Sequence, residues 1–193
     1  SQHAINTCLS NADGAMIEFN VASNNGLSSS ILELGRHAME YPSITYQEKL
    51  LLQTKTIDRL IHDGILPKDI DFLLLDTQGA EGLILEGAEL LLTNGCLVAC
   101  QIETGVVPLY QNGSTYLDIA NKLAQFNLHL KSIDFNNKGW TDALFCRPYW
   151  SEVLQESDYI KIDVLRPKPC PFPLIRIGGN TDGAYLLPND LDR

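Results

Sequence analysis

Phe72-Leu73-Leu74-Leu75-Asp76-Thr77-Gln78-Gly79-Ala80-Glu81 carries the clearest folding signal in this chain. Its four consecutive apolar residues predict a strand buried on both faces, the pattern of a parallel sheet. Asp76 stands at the strand's carboxyl end, a glycine turn follows, and Glu81 opens a run with helical spacing. Open α/β sheets bind their ligands outside the carboxyl ends of the strands. Chemistry is therefore expected first at Asp76, Gln78 and Glu81.

Downstream, Leu83, Ile84, Gly87, Leu90 and Leu91 repeat at helical spacing, and Gly95 is placed to end that helix. Leu97 to Ile102 reads as a second buried strand, closed by Glu103. Thr115 and Asp118 mark a capped helix start, with Leu117, Ala120, Leu123 and Ala124 on one face. Leu128 to Ile133 and Ala143 to Arg147 read as strands. The loop between them is long enough for a hairpin and too short for a parallel crossover.

Upstream, Ala4 to Leu9 and Met16 to Ala22 flank an Asn11-Ala12-Asp13-Gly14 turn, and a hairpin is expected. Ser30 and Glu33 form a capping-box pattern, predicting a short helix with Ile31, Leu34 and Ala38 inward. Tyr41-Pro42 stops it. Lys49 to Lys55 is read as extended, and Thr56 to Asp63 as a short helix closed by Gly64. The order predicts an α/β fold with a mostly parallel sheet and an antiparallel last strand.

Composition narrows the partners. The net charge of -10 argues against nucleic acid and anionic membranes, which reward clustered Lys and Arg. The longest uncharged stretch, Leu90 to Ile102, is too short and too polar to span a bilayer. No secretory signal pattern opens the chain. The five cysteines (Cys8, Cys96, Cys100, Cys146 and Cys170) are odd in number and contain no C-x-x-C pair. Neither a disulfide framework nor a zinc knuckle is expected. Cys96, Cys100 and Cys146 fall in apolar runs and are expected as buried, reduced thiols. A cytoplasmic location fits.

Several words of the sequence carry a resemblance. They are N-A-D-G at Asn11 to Gly14, the serine run before I-L-E-L-G, T-I-D-R-L-I, and F-L-L-L-D-T-Q-G-A-E. E-G-A-E-L-L-L, Q-I-E-T, Leu109-Tyr110 and G-W-T-D-A-L-F at Gly139 to Phe145 follow in order. From about Ala4 to Cys146 the chain resembles the FkbM family of S-adenosylmethionine-dependent methyltransferases. The resemblance implies a Rossmann-like methyltransferase sheet, S-adenosylmethionine as cofactor, and a small-molecule or glycan hydroxyl acceptor. O-methylation of a sugar or another hydroxyl-bearing metabolite is the activity it implies.

One departure from the family is large. Its domain opens with a glycine-rich strand–turn–helix of the D-x-G-A-N-x-G kind, and a second strand then ends in an acid that holds the cofactor ribose. Neither is present here. The only glycine cluster, Gly178-Gly179, lies at the far end and does not open a long helix. Residues 1–147 are therefore expected to be the C-terminal part of the methyltransferase domain, incomplete at its N-terminus. Residues 148–173, with Pro148, Pro167, Pro169, Pro171 and Pro173, are expected to be a linker. Residues 174–193 resemble the opening of a second methyltransferase-like domain. On this reading the parent protein is the enzyme. The fragment alone binds the cofactor weakly or not at all and is inactive.

Asp76, Glu81 and Glu103 are the expected catalytic residues. A carboxylate within reach of a hydroxyl acceptor can take its proton, and two neighbouring acids raise one another's pKa. His37, Gln78, Trp140 and Asp142 are the expected substrate-binding residues. Each has a structural alternative: a helix cap for Asp76, the positive helix end for Glu81, loop shaping for Gln78 and a surface position for His37. Trp140 and Asp142 fit a hairpin packed on the core equally well. Tyr110 is either a lid residue or a cover over the core edge. His3, His62 and His129 are scattered, so no metal triad is expected. The rival function is a non-catalytic, degenerate interaction module that packs against a neighbouring domain. An exposed sheet edge at the missing strands would favour it.

Overall fold

The computed structural model describes residues 4–133, 135–136 and 138–148, and the backbone of 174–178. The proline-rich stretch 149–173 and residues 179–193 lie outside the described residues. So, therefore, does most of what is expected of the linker and of a second domain.

A small sheet carries β1 (Cys8–Leu9), β2 (Met16–Ala22) and β3 (Tyr46–Lys55) in the order β1-β3-β2. β2 and β3 are antiparallel, and β1 runs parallel to the end of β3. The hairpin expected between the first two strands does not form, because β3 lies between them. The Asn11–Gly14 turn instead wraps around Thr54. Gly14 N–H donates to the Thr54 carbonyl at 2.8 Å, Thr54 N–H to the Ala15 carbonyl at 2.8 Å, and Thr54 Oγ1 to the Ala12 carbonyl at 2.6 Å. These bonds fill polar groups that a two-strand hairpin would have paired with each other.

The expected helix at Ser30 is also absent. Ser30 exchanges both backbone bonds with Asn20, and its hydroxyl accepts from Leu32 N–H at 3.0 Å. A serine that bonds its own neighbouring backbone offers the chain an alternative to the helix. Glu33 turns outward to Lys49 at 2.9 Å. The segment becomes helical only at α1 (His37–Glu40).

The main sheet contains β4 (Phe72–Asp76), β5 (Ala99–Gly105), β6 (His129–Ser132), β7 (Trp140–Cys146) and β8 (Leu174–Gly178), ordered β6-β7-β5-β4-β8. It is mixed. β4 is parallel to β5 and to β8, while β7 is antiparallel to both β5 and β6. The architecture is α/β with two sheets.

Helices α2 (Ile57–His62), α3 (Glu81–Glu86), α4 (Glu89–Thr93) and α5 (Tyr116–Ala124) complete the fold. Ile57, Ile84, Leu85, Leu91, Leu92, Ile119 and Leu123 bury against Leu73, Leu75, Cys100 and Ile102 in one core. Full burial of Leu73 and of Leu75 in β4 is worth ~1.5–3 kcal/mol each. Thr115 caps α5 in a complete capping box with Asp118, as its sequence predicts.

The single helix expected over Leu83 to Leu91 is two helices. A side chain at Gly87 would sit 2.5 Å from the Ser10 carbonyl, so the chain after β1 crosses this point. Asp58 then caps the restart, accepting from Leu90 N–H at 2.9 Å and Leu91 N–H at 3.2 Å. The break turns Leu90 out to solvent at 67% exposure. Cys100 and Cys146 are buried as expected, whereas Cys96 is only half-buried.

Candidate functional site

β4 and β5 are parallel neighbours, so their terminal acids emerge at the same edge. Asp76 ends β4, and Glu103 lies near the end of β5. Gln78 joins them: its Nε2 donates to Asp76 Oδ1 at 2.9 Å and to Glu103 Oε2 at 2.9 Å. A primary amide has two N–H groups, and here both go to carboxylates.

Gln78 reaches this position through an unusual backbone. Its φ is 56°, and that of Gly79 is 95°. A left-handed glutamine is strained, and such strain persists where the surroundings over-determine it. Three contacts do so here. Ser30 Oγ donates to the Gln78 carbonyl at 2.8 Å, and Tyr110 Oη donates to Gln78 Oε1 at 2.8 Å. The third is the glycine that follows, where a Cβ on Gly79 would stand 2.8 Å from the Tyr110 side chain. The turn thus has room for Tyr110 only because residue 79 lacks a side chain.

Tyr110 is brought in by backbone stitching. Gly35 and His37 N–H groups both donate to the Leu109 carbonyl, at 3.1 and 2.9 Å, and Gln111 N–H donates to the Glu33 carbonyl at 2.9 Å. The segment that does not become a helix therefore lies over the Leu109-Tyr110 loop. Burial pushes the Tyr110 phenol well up, which keeps it a hydrogen-bond donor.

Glu81 stands inside the turn at 4% exposure. Its Oε1 accepts from Thr77 N–H at 2.8 Å, Thr77 Oγ1 at 3.0 Å and Gly79 N–H at 3.3 Å. Burial raises its pKa, and those bonds oppose the rise. It pins the 77–79 turn from within and also borders the cleft described below.

Glu103 is the most perturbed acid. Burial drives its pKa well up, and the charges of Asp76, Glu81 and Asp142, with a hydrogen bond to Asp76, push the same way. Glu103 therefore favours its protonated form next to Asp76. Asp142 is its register partner on β7, and Trp140 is that of Gly105.

Glu103 and Trp140 border an open cleft with about 360 Å³ of empty space, lined also by Gly79, Glu81, Thr104 and Tyr110, with Asp76 and Gln78 set beside it. Among the described residues, no Lys or Arg lines it. The Thr104 hydroxyl and the Trp140 indole N–H are buried without protein partners. These donors suit a ligand that carries acceptor oxygens, and among the described residues no Lys or Arg is there to pair with a phosphate.

Asp76, Gln78, Glu81, Glu103, Trp140 and Asp142 thus meet at one edge of the sheet. His37 lies elsewhere. It is buried at 3% exposure instead of on the surface, behind Tyr110, with ring centroids 5.4 Å apart. Its Nε2 is 3.1 Å from Ser28 Oγ. Burial lowers its pKa, which favours the neutral ring, and it supports Tyr110 from beneath without lining the cleft. Ser30 and Tyr110 are the working residues that the sequence places least well. The serine run and the Leu109-Tyr110 pair are visible in it, but their meeting over Gln78 is not.

Among the described residues, no group of three or more His, Cys, Asp or Glu is arranged to hold a metal ion. No helix among them is long and apolar enough to cross a membrane.

The acids gather beside an open cleft at the carboxyl ends of strands, the place where open α/β sheets bind ligands. The model of the methyltransferase FkbM domain matches residues 2–130, and the chain belongs to that family. Neither the curated proteins nor the solved structures give a match.

Proposed function

We propose that this chain carries the acceptor side of an S-adenosylmethionine-dependent O-methyltransferase with a Rossmann-like sheet. The acceptor is a sugar or another hydroxyl-bearing metabolite without phosphate. The observation that carries this reading is the Asp76–Gln78–Glu103 bridge beside a cleft free of Lys and Arg.

S-adenosylmethionine, when bound, supplies an electrophilic methyl group on a cationic sulfonium. The acids at this edge fit such a cation, and the unpartnered Thr104 and Trp140 polar atoms fit a hydroxyl-bearing acceptor. Asp76 accepts the acceptor hydroxyl's proton. Glu103 stays protonated and donates to Asp76, which orients that carboxylate. Gln78 holds both carboxyls in place, and Tyr110 fixes which end of the Gln78 amide faces them. Glu81 keeps the turn rigid, and Trp140 forms one wall. Positioning of this kind supplies much of the rate when the reaction needs an aligned acceptor.

The test is transfer of labelled methyl from S-adenosylmethionine to a panel of neutral sugars and polyols, in the parent protein that contains this chain. Asp76→Asn should lower transfer by about 100-fold or more, the scale of a lost general base. Full activity in Asp76→Asn would overturn the assignment.

A further inference from the structure

Glu103, Thr104 and Gly105 are the last three residues of β5, and all three line the cleft. Successive residues of a strand face opposite ways. Glu103 and Gly105 share a face with their register partners Asp142 and Trp140, whereas Thr104 faces the other way, with Ile102 of the helical core. The cleft therefore reaches round the end of β5 and meets a side chain from each face. Gly105 leaves the room for this. A Cβ there would stand 3.4 Å from Trp140 Cβ and 3.1 Å from the Val107 and Gly139 carbonyl oxygens.

Thr104 is 6% exposed, and among the described residues neither its Oγ1 nor Trp140 Nε1 has a hydrogen-bond partner. A buried polar group left unpaired costs ~1–3 kcal/mol. Two such groups on residues of one cleft call for the same chemistry. The indole N–H only donates, and a threonine hydroxyl donates or accepts. Hydroxyl and ether oxygens of a neutral ligand satisfy both. An anionic ligand would meet Glu81 and Glu103 and, among the described residues, no Lys or Arg. Val107, Pro108 and Leu109 add an apolar wall, which suits the C–H face of a ring.

We propose that Thr104 and Trp140 form an acceptor-selecting subsite, in which they hold oxygens of the acceptor other than the hydroxyl that is methylated. The cleft then takes a polyhydroxylated ring and discriminates against a mono-alcohol. Glu103, next to Thr104 in the chain, is tied through Gln78 to Asp76, so the selecting groups lie beside the proposed base. A site that hydrogen-bonds a ligand's oxygen rejects the analogue lacking it, because its own buried groups are then left unpaired. That the ligand is a methyl acceptor rests on the methyl-transfer reading; the oxygen subsite itself does not.

Two measurements test this. The first needs no methyl transfer. The 193-residue chain has two tryptophans, so labelling the indoles with heavy nitrogen gives two magnetic-resonance signals, and Trp140→Phe identifies that of Trp140. Titration with myo-inositol and with D-glucose should move that signal saturably, at concentrations where cyclohexanol leaves it in place. Movement by all three alike, or by none, overturns the subsite. The second compares kcat/KM for methyl transfer to myo-inositol and to cyclohexanol in the parent protein. Trp140→Phe and Thr104→Val should each lower the preference for the polyol by about 10-fold or more. An equal fall for both alcohols would make the two residues structural and overturn the proposal. Thr104→Val should also leave the melting temperature unchanged or raised, since no protein hydrogen bond is lost. A clear fall would reveal a protein partner and overturn the role of Thr104. If the Trp140 signal moves but the unaltered parent methylates neither alcohol, the methyl-transfer reading falls and the oxygen subsite stands.

Discussion

The word Leu-Leu-Leu occurs three times in this chain, and its two copies in strands meet opposite fates. In β4, Leu73 and Leu75 are 0% exposed. In β3, Leu50 is 37% exposed and Leu51 is 67% exposed. Composition is the same, so the cover must differ. One face of β4 carries Leu73 and Leu75 in the helical core, and the other carries Phe72 and Leu74 against Ala99, Leu144 and Cys146. β3 lies between β1 and β2, and its central leucines pair with Ile17, Glu18 and Phe19. Its residues Tyr46 to Leu51 are exposed or only half-buried. An apolar run therefore marks a strand in both places, but it marks a core only where both faces are covered.

The largest effect that would break this contrast is in β4. Leu73→Ala should cost ~2–5 kcal/mol, because the cavity it leaves is walled by packed neighbours. Urea denaturation measures it, and a cost below that of an exposed site would mean that β4 is not the centre of the fold.

A second test concerns what burial does at the strand's end. The folded pKa of Glu103 is raised above its ordinary 4.5, by burial first and then by Asp76, Glu81 and Asp142. The folded state thus holds this proton more tightly than the unfolded state. Its contribution is complete below about pH 4.5 and is lost as pH rises through the raised value. The slope is at most ~1.4 kcal/mol per pH unit for one proton. Glu103→Gln should flatten the fall in stability as pH rises above about 4.5. An unchanged fall would place the source elsewhere, with Glu81, also raised by burial, the next group to replace.

The smallest effect sharpens the contrast from the other side. Leu51→Ala should change stability by no more than ~0.5 kcal/mol, as exposed substitutions do. A loss comparable to that at Leu73 would reveal a cover on β3 that the described residues do not contain.

Much of the site's outline is legible in the sequence. The β4 run, the acids at the ends of β4 and β5, and the Thr115–Asp118 cap depend on neighbours close in the chain, and local chemistry states them. The Ser30 capping box misleads for the same reason. Its local signal is real, but a bridge to Asn20 and a bond to the Gln78 carbonyl use the same groups. His37 reads as a surface residue on a helix end until Ser28 and Tyr110 enclose it. The break at Gly87 depends on Ser10, far away in the chain.

Periodicity, caps and chain order are enough for the α/β class, the buried strand and the pair of acids that end two neighbouring strands. Those signals act over a few residues, so the linear chain already contains them. Packing was needed to make Gln78 bridge the two acids, to set Tyr110 against Gln78 in its left-handed turn, and to lay β8 beside β4. These arrangements join residues tens of positions apart. A contact of that kind depends on where the packed core leaves each backbone, and no short stretch of sequence contains that information.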